Sequence, residues 1–300
     1  MASLQNGYVN GTTSLGYPDE ISFASQRFSD VPSALDIPLS SIHNEVVEVS
    51  FEELQDDPTE LCTLLDDEKA PKNFWVIVSL AYAKQNKLDN AIEVLNRGLA
   101  SLPPGATKER QSLLTWICWF YMAKSRHAPR RRLDEQVDSH VKTKEFYHQA
   151  ATTTLNEASR LNPAFPPLFL ARGVLSILRA SIKLPSNALR PGAVDTSERA
   201  DALRQAVKSF EEASKMFGGR NIMAILGRAR ALYMLGRYAE ALEAYQDALV
   251  KMPNLKDPDP RIGIGCCLWQ LNFKDEARAA WNRSLALVCC IRFLKPKANF

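Results

Sequence analysis

From Gly236 to Asn254 the chain reads GRYAEALEAYQDALVKMPN, with apolar and polar positions at the three- and four-residue spacing of an amphipathic helix. The helical period alone does not require small residues at Ala241 and Ala248, a large one at Tyr245 between them, and Pro253 at the end. Four other stretches repeat the arrangement. LDNAIEVLNRGLASLPP carries Ala91, Leu95, Gly98 and Pro103 at the same offsets, and AATTTLNEASRLNP carries Ala151, Leu155, Ala158 and Pro163. QAVKSFEEASKMFGG carries Ala206, Phe210 and Ala213, with Gly218 in the place of the proline; DEARAAWNRSLALVC carries Ala277, Trp281 and Ser284, with Cys289 there.

The leading alanines stand at 91, 151, 206, 241 and 277, so the last two intervals are 35 and 36 residues and the first two are 60 and 55. The short intervals fit one helix pair each, and the long ones fit a pair plus an insertion. A period near this length with small residues at fixed points is the tetratricopeptide (TPR) signature. The residues upstream agree: Trp75, Tyr82 and Ala91 stand at the TPR spacing of Trp, Tyr and Ala, with Asn86 where glycine is usual. The expected fold is all-α, a right-handed superhelical solenoid of TPR helix pairs.

Each such pair cannot bury its apolar faces alone, so pairs stack, and small side chains at Ala229, Ala241 and Ala248 let neighbouring helices approach. Tyr245 fills the space between them, Pro253 stops the helix, and Gly236 takes a left-handed conformation at a helix end. Residues 71–300 then form an array of about five helix pairs, with insertions near 126–141 and 184–198, each joining the two helices of one pair. Residues 1–36, rich in Ser, Gly, Asn and Thr without a sustained period, read as a disordered tail. Residues 37–70 read as an extended segment, from the alternation of Val47, Val49 and Phe51 with Glu48, Ser50 and Glu52, followed by a cap helix entered at Asp57-Pro58 with Leu61, Leu64 and Leu65 on one face.

Composition narrows the function. A formal net charge of +3 is too small to argue for nucleic acid by itself. Its distribution says more: ten acids and no Lys or Arg lie between Glu45 and Glu68, whereas KSRHAPRRR, from Lys124 to Arg132, holds five basic residues and no acid. No apolar run approaches a membrane span, and the start lacks the pattern of a secretory or mitochondrial presequence, so an intracellular chain is expected. Cys62 and Cys118 stand alone, and Cys266–Cys267 and Cys289–Cys290 are adjacent pairs rather than the two-residue-spaced pairs of zinc sites, so buried structural thiols are expected.

Catalysis finds little support. The glycines of RIGIGCC lie inside a repeat helix and lack the lysine of a phosphate-binding loop. His43, His127, His140 and His148 form no metal-binding pattern, and no nucleophile set can be assembled. A non-enzyme without cofactor or metal is expected. Binding remains, and TPR geometry puts the first helix of each pair on the concave groove. The groove candidates are Val76, Leu80 and Lys84; Met223, Leu226, Arg230, Tyr233 and Met234; and Ile262, Cys266 and Trp269. Mixed apolar and cationic side chains suit a peptide of some acidic character. A basic patch of Arg126, Arg130, Arg131 and Arg132 is the second candidate site, with a solvated loop as its plain alternative.

The segment IPLSS…EVVEVSFEELQDDPTELCTLLDDEKAPKNFW, the basic insertion and above all DPDPRIGIGCCLWQLNFKDEARAAWNRSLAL resemble the amino-terminal part of the large TPR subunit of the RNA polymerase II-associated factor (PAF) complex, in a fungal version. The resemblance covers residues 37 to about 287. It implies a nuclear scaffold whose amino-terminal repeats hold another core subunit, in a complex that assists elongation and promotes histone H2B ubiquitination and H3 methylation. Members of that family are much longer, so the chain resembles a fragment of one, and its ending LVCCIRFLKPKANF departs from the expected Asn-Pro turn after Leu285. The competing readings are a nucleic-acid or chromatin-contacting module centred on the four arginines, with weak nucleic-acid contact, and a TPR co-chaperone. The co-chaperone reading asks for Lys and Asn clustered in the groove, where the first unit offers only Asn73 and Lys84.

Overall fold

The computed structural model describes residues 31–39, 46–129, 142–182 and 197–294, with only the backbone of Ser197 and of residues 288–294. Among the described residues, two strands, β1 (Ala34–Pro38) and β2 (Val46–Ser50), precede eleven helices: α1 (Thr59–Asp67), α2 (Lys72–Lys84), α3 (Leu88–Ser101), α4 (Thr107–His127), α5 (Lys144–Leu161), α6 (Pro166–Ile182), α7 (Ser197–Met216), α8 (Ile222–Met234), α9 (Tyr238–Lys251), α10 (Pro260–Gln270) and α11 (Lys274–Leu294). From α2 onward they form five antiparallel pairs, each packed on the next. The all-α TPR solenoid expected from the sequence is the fold observed.

The repeated positions explain the pairing. Ala91, Ala151, Ala206, Ala241 and Ala277 are wholly buried, as are Ala158, Ala213, Ala229 and Ala248. Glycine serves the same end where the neighbour is an aromatic ring: a Cβ added at Gly98 would stand 2.7 Å from Trp75, and one added at Gly263 would stand 2.5 Å from Tyr245. The glycines of RIGIGCC are therefore packing residues within α10, as their place in a repeat suggested. Gly236 turns from α8 into α9 at a φ of 81°, and Asn86 and Asn272 take the same left-handed corner at 65° and 70°. Asparagine thus replaces the usual glycine without loss of the turn.

First helices of successive pairs touch one another: α2 meets α4, α4 meets α6, α6 meets α8, and α8 meets α10. Among the described residues no comparable contact joins the second helices α3, α5, α7, α9 and α11. The array therefore curves with its first helices on the inside, and these line the concave face.

Order begins earlier in the chain than the sequence suggested. β1 starts at Ala34, inside the stretch read as a disordered tail, and pairs antiparallel with β2 so that Leu35 faces Val49 and Ile37 faces Val47. Val31, Leu35, Ile37 and Phe51 are buried against Trp75, Val78 and Tyr82. Side-chain bonds fasten the segment after the hairpin: the Tyr82 hydroxyl donates to the Gln55 carbonyl at 3.0 Å, Gln85 Nε2 donates to the Phe51 carbonyl at 2.7 Å, and Lys87 pairs with Asp56 at 2.7 Å. α1 starts after Pro58 as expected, burying Cys62 and Leu65 while Leu61 and Leu64 pack at the edge of the same core.

α4 runs on to His127, past the insertion boundary expected near residue 126, and α5 begins at Lys144, while α6 ends at Ile182 and α7 begins at Ser197. Residues 130–141 and 183–196 lie outside the described residues. No helix among the described residues is long and apolar enough to cross a membrane.

Candidate concave binding face

The sequence left α4 without a register, because the insertion separates it from Ala151. Two hydrogen bonds supply the register. Gln111 Nε2 donates to the Ala158 carbonyl at 3.1 Å and to the Asn162 carbonyl at 2.8 Å, so Gln111 holds the second helix of its pair where Trp75, lying on Gly98, holds α3. Counting from Gln111, the inward face of α4 presents Ser112, Trp116, Trp119, Ala123 and Arg126. Trp116 and Trp119 are half-buried and pack at the edges of two different cores, with Trp116 and Phe120 ring centroids 6.1 Å apart. Sequence reasoning missed both tryptophans, which sit in a run, TWICWF, that shows no single face.

The predicted groove residues divide into two groups. Leu226 is 7% exposed and packs with Ile222, Ile225, Ala248 and Leu255, so it belongs to the contact between units rather than to an open surface. Met223 packs on the same cluster, Met234 packs on two others, and Val76 and Leu80 lie on the first core. Their position-to-position spacing could not distinguish packing from display, because a solenoid uses the same stripe for both. Lys84 and Arg230 are exposed, Cys266 is half-buried, and Ile262 and Trp269 are 53% and 40% exposed. Trp269 lies on Trp281 with centroids 5.7 Å apart. Tyr233 is half-buried, bonded through its hydroxyl to Gln270 and raised in pKa chiefly by burial, with its ring 5.3 Å from Tyr238.

Arg126 is not part of a solvated insertion. It occupies the last turn of α4, favourable for a cation at a helix C-terminus. Although the residue is exposed, partial desolvation, and then the charge of Arg230, holds its pKa below the ordinary guanidinium value. Arg130, Arg131 and Arg132 lie outside the described residues.

The remaining chemistry-bearing groups are structural. Cys62, Cys118 and Cys267 are buried, and burial pushes their thiols up to about 11, about 12 and about 11. The Cys118 thiol donates to the Ala151 carbonyl at 3.4 Å. His148 lies 3.3 Å from the Leu175 carbonyl and is held below the ordinary imidazole value chiefly by burial. No group of three or more metal-ligating side chains occurs among the described residues.

Comparison with known proteins agrees with this architecture. Residues 198–256 match the family described as Tetratricopeptide repeat. A thermophilic TPR protein of Thermus thermophilus, TTC0263, superposes with a TM-score of 0.51 at 13% identity, covering 72% of this chain and 91% of the other, which is a likeness of fold. Tetratricopeptide repeat protein 1 of Schizosaccharomyces pombe is 32% identical over 83% of this chain and 21% of its own length. RNA polymerase-associated protein CTR9 of Saccharomyces cerevisiae is 32% identical over 85% of this chain and 22% of its own. Protein CTR9 homolog of Arabidopsis thaliana is 26% identical over 84% and 20%. The chain spans about a fifth of the length of these relatives. The resemblance noted in the sequence is thus joined by relatives of which one is named as RNA polymerase-associated, and identity is higher with the two yeast proteins than with the plant one.

Proposed function

We propose that this chain, a TPR solenoid related to the RNA polymerase-associated CTR9 proteins, is a protein-binding scaffold in a nuclear transcription-elongation complex. In this reading it has no catalytic role, and its array holds another core subunit of the RNA polymerase II-associated factor complex. The polymerase machinery is engaged through that assembly, which supports elongation and histone modification. The observation that carries the proposal is 32% identity, sustained over 85% of the chain, with a yeast protein whose name states association with RNA polymerase. The geometry supports it. Trp116, Trp119, Arg230, Tyr233, Ile262 and Trp269 are half-buried or exposed and lie on first helices, the layer by which stacked helix pairs take up an extended or helical segment of another protein.

The test is co-purification of the tagged chain from nuclear extract with quantitative identification of what elutes with it. A stoichiometric polymerase-associated subunit, retained at high salt, is the expected outcome, since a face with apolar anchors resists ionic strength. Recovery of nucleic acid instead, with affinity falling steeply as salt rises, would replace this reading by the nucleic-acid one.

A further inference from the structure

Charge is divided between the two helical layers of the array. The five inner helices α2, α4, α6, α8 and α10 hold eleven Lys and Arg against a single acid, Glu109. The five outer helices α3, α5, α7, α9 and α11 hold twelve Lys and Arg against thirteen acids. A neutral outer layer beside an inner layer of formal charge +10 is not what a soluble chain of net charge +3 needs for solubility.

Some of the inner cations have structural uses. Lys124 pairs with Asp89, Arg228 with Glu211 and Arg261 with Asp259, while Arg110 donates to the carbonyls of Leu99 and Leu102 and Arg172 to the Ser159 hydroxyl. Arg126 and Arg230 have no such use: both are exposed, and neither has a hydrogen-bond or ion-pair partner among the described residues. They come from different units, at the end of α4 and the middle of α8, with α6 packed between those helices, and yet the charge of Arg230 reaches Arg126. α6 and α8 contain no acid that could answer them. Two like charges so placed repel, and an anion between them removes the repulsion.

We propose that the concave face receives an acidic segment of a partner protein, and that Arg126 and Arg230 form the station that takes its carboxylates. This rests on the scaffold reading and names the chemistry of the segment held. Guanidinium groups match carboxylates in geometry as well as charge. Half-buried Leu170 and Val174 on α6, the helix packed between those that carry the two arginines, offer anchoring for apolar side chains. The expected segment therefore carries Asp or Glu interspersed with apolar residues.

The full chain is titrated into three fluorescein-labelled 16-residue peptides of alternating composition, Glu-Leu, Gln-Leu and Lys-Leu, and into a 16-nucleotide oligouridine, with anisotropy read at two salt concentrations. The Glu-Leu peptide should bind best, and more weakly at the higher salt. The double variant Arg126→Gln, Arg230→Gln should weaken it by roughly tenfold, the effect of losing two partly screened charge contacts. Lys208→Gln with Lys215→Gln removes the same charge from α7 on the outer layer and should leave binding unchanged. Circular dichroism and melting of both double variants verify that the fold persists. Equal loss in the two double variants, equal binding of the Gln-Leu peptide, preference for oligouridine, or no binding of the Glu-Leu peptide overturns the proposal. If the chain nevertheless co-purifies with a stoichiometric polymerase-associated subunit, the scaffold reading stands and only the acidic-segment inference falls.

Discussion

The ring of Phe210 occupies the space in which a side chain at Gly227 would lie, since a Cβ added there would stand 2.4 Å from the ring. The same ring lies on Gly173, where an added Cβ would be 2.6 Å away. One aromatic side chain of α7 thus closes its own pair against α6 and docks the following pair through α8. Gly227→Ala forces the ring or the helix aside, an overpacking that typically costs about 1–3 kcal/mol. The melting temperature should drop, and Phe210→Leu added to Gly227→Ala should recover part of the loss. A Gly227→Ala variant that melts like the unsubstituted chain would contradict the close contact.

The hairpin before the first pair makes a separate prediction. Deleting residues 1–30 removes none of the buried positions of the described fold, and the melting temperature should hold. Deleting residues 1–57 strips Val31, Leu35, Ile37 and Phe51 from Trp75 and Tyr82. Each such buried side chain contributes about 1.5–3 kcal/mol. Light scattering should show the longer truncation aggregating at concentrations where the shorter one stays monodisperse. Equal behaviour of the two would mean that β1 and β2 do not seal the end of the array.

Stability should be bounded on both sides of neutrality. Cys62, Cys118 and Cys267 titrate near 11 to 12 in the fold against 9.0 ordinarily, and Tyr82 and Tyr245 near 12 against 10.0. The folded state therefore keeps protons that the unfolded chain loses, so the stability these groups lend is full below about pH 9 and declines as pH rises toward 12. His148 has the opposite sign. Its folded pKa is depressed below 6.5, the unfolded chain takes up the proton first, and stability is present above that pH and declines below it. Melting temperature against pH should be flat between about 7 and 9 and fall on each side, and His148→Leu should reduce the acid-side fall. An acid limb with the same slope in that variant would assign it to other groups.

Much of the fold was legible because a solenoid repeats its packing rules: the buried alanines at 91, 151, 206, 241 and 277 and the turn residues Asn86 and Gly236 can be seen only by comparing copies. Ala34–Pro38 was not legible, since a five-residue strand owes its existence to a partner twelve residues on and to the apolar face of α2, neither of which leaves a periodic trace. The candidate face was legible in part. Arg230, Ile262 and Trp269 are exposed, whereas Leu226 is closed by Ile225, Ala248 and Leu255, whose approach no linear spacing reveals. Trp116 and Trp119 stayed hidden because Gln111 replaces the tryptophan that would have fixed the register of α4. Arg126 was read as loop because Pro129 follows, although the helix ends only at His127.

The central claim is that the inner helices hold a protein partner, and hydroxyl-radical footprinting of the co-purified complex against the isolated chain tests it most directly. Oxidation is read residue by residue at Trp116, Trp119, Tyr233 and Trp269 on the inner helices, and at Phe146 and Val250, which are 47% and 78% exposed on the outer ones. The account predicts protection of the four inner residues with Phe146 and Val250 unchanged. Protection confined to Phe146 and Val250, with the inner residues oxidised as in the isolated chain, would place the partner on the convex side and contradict it.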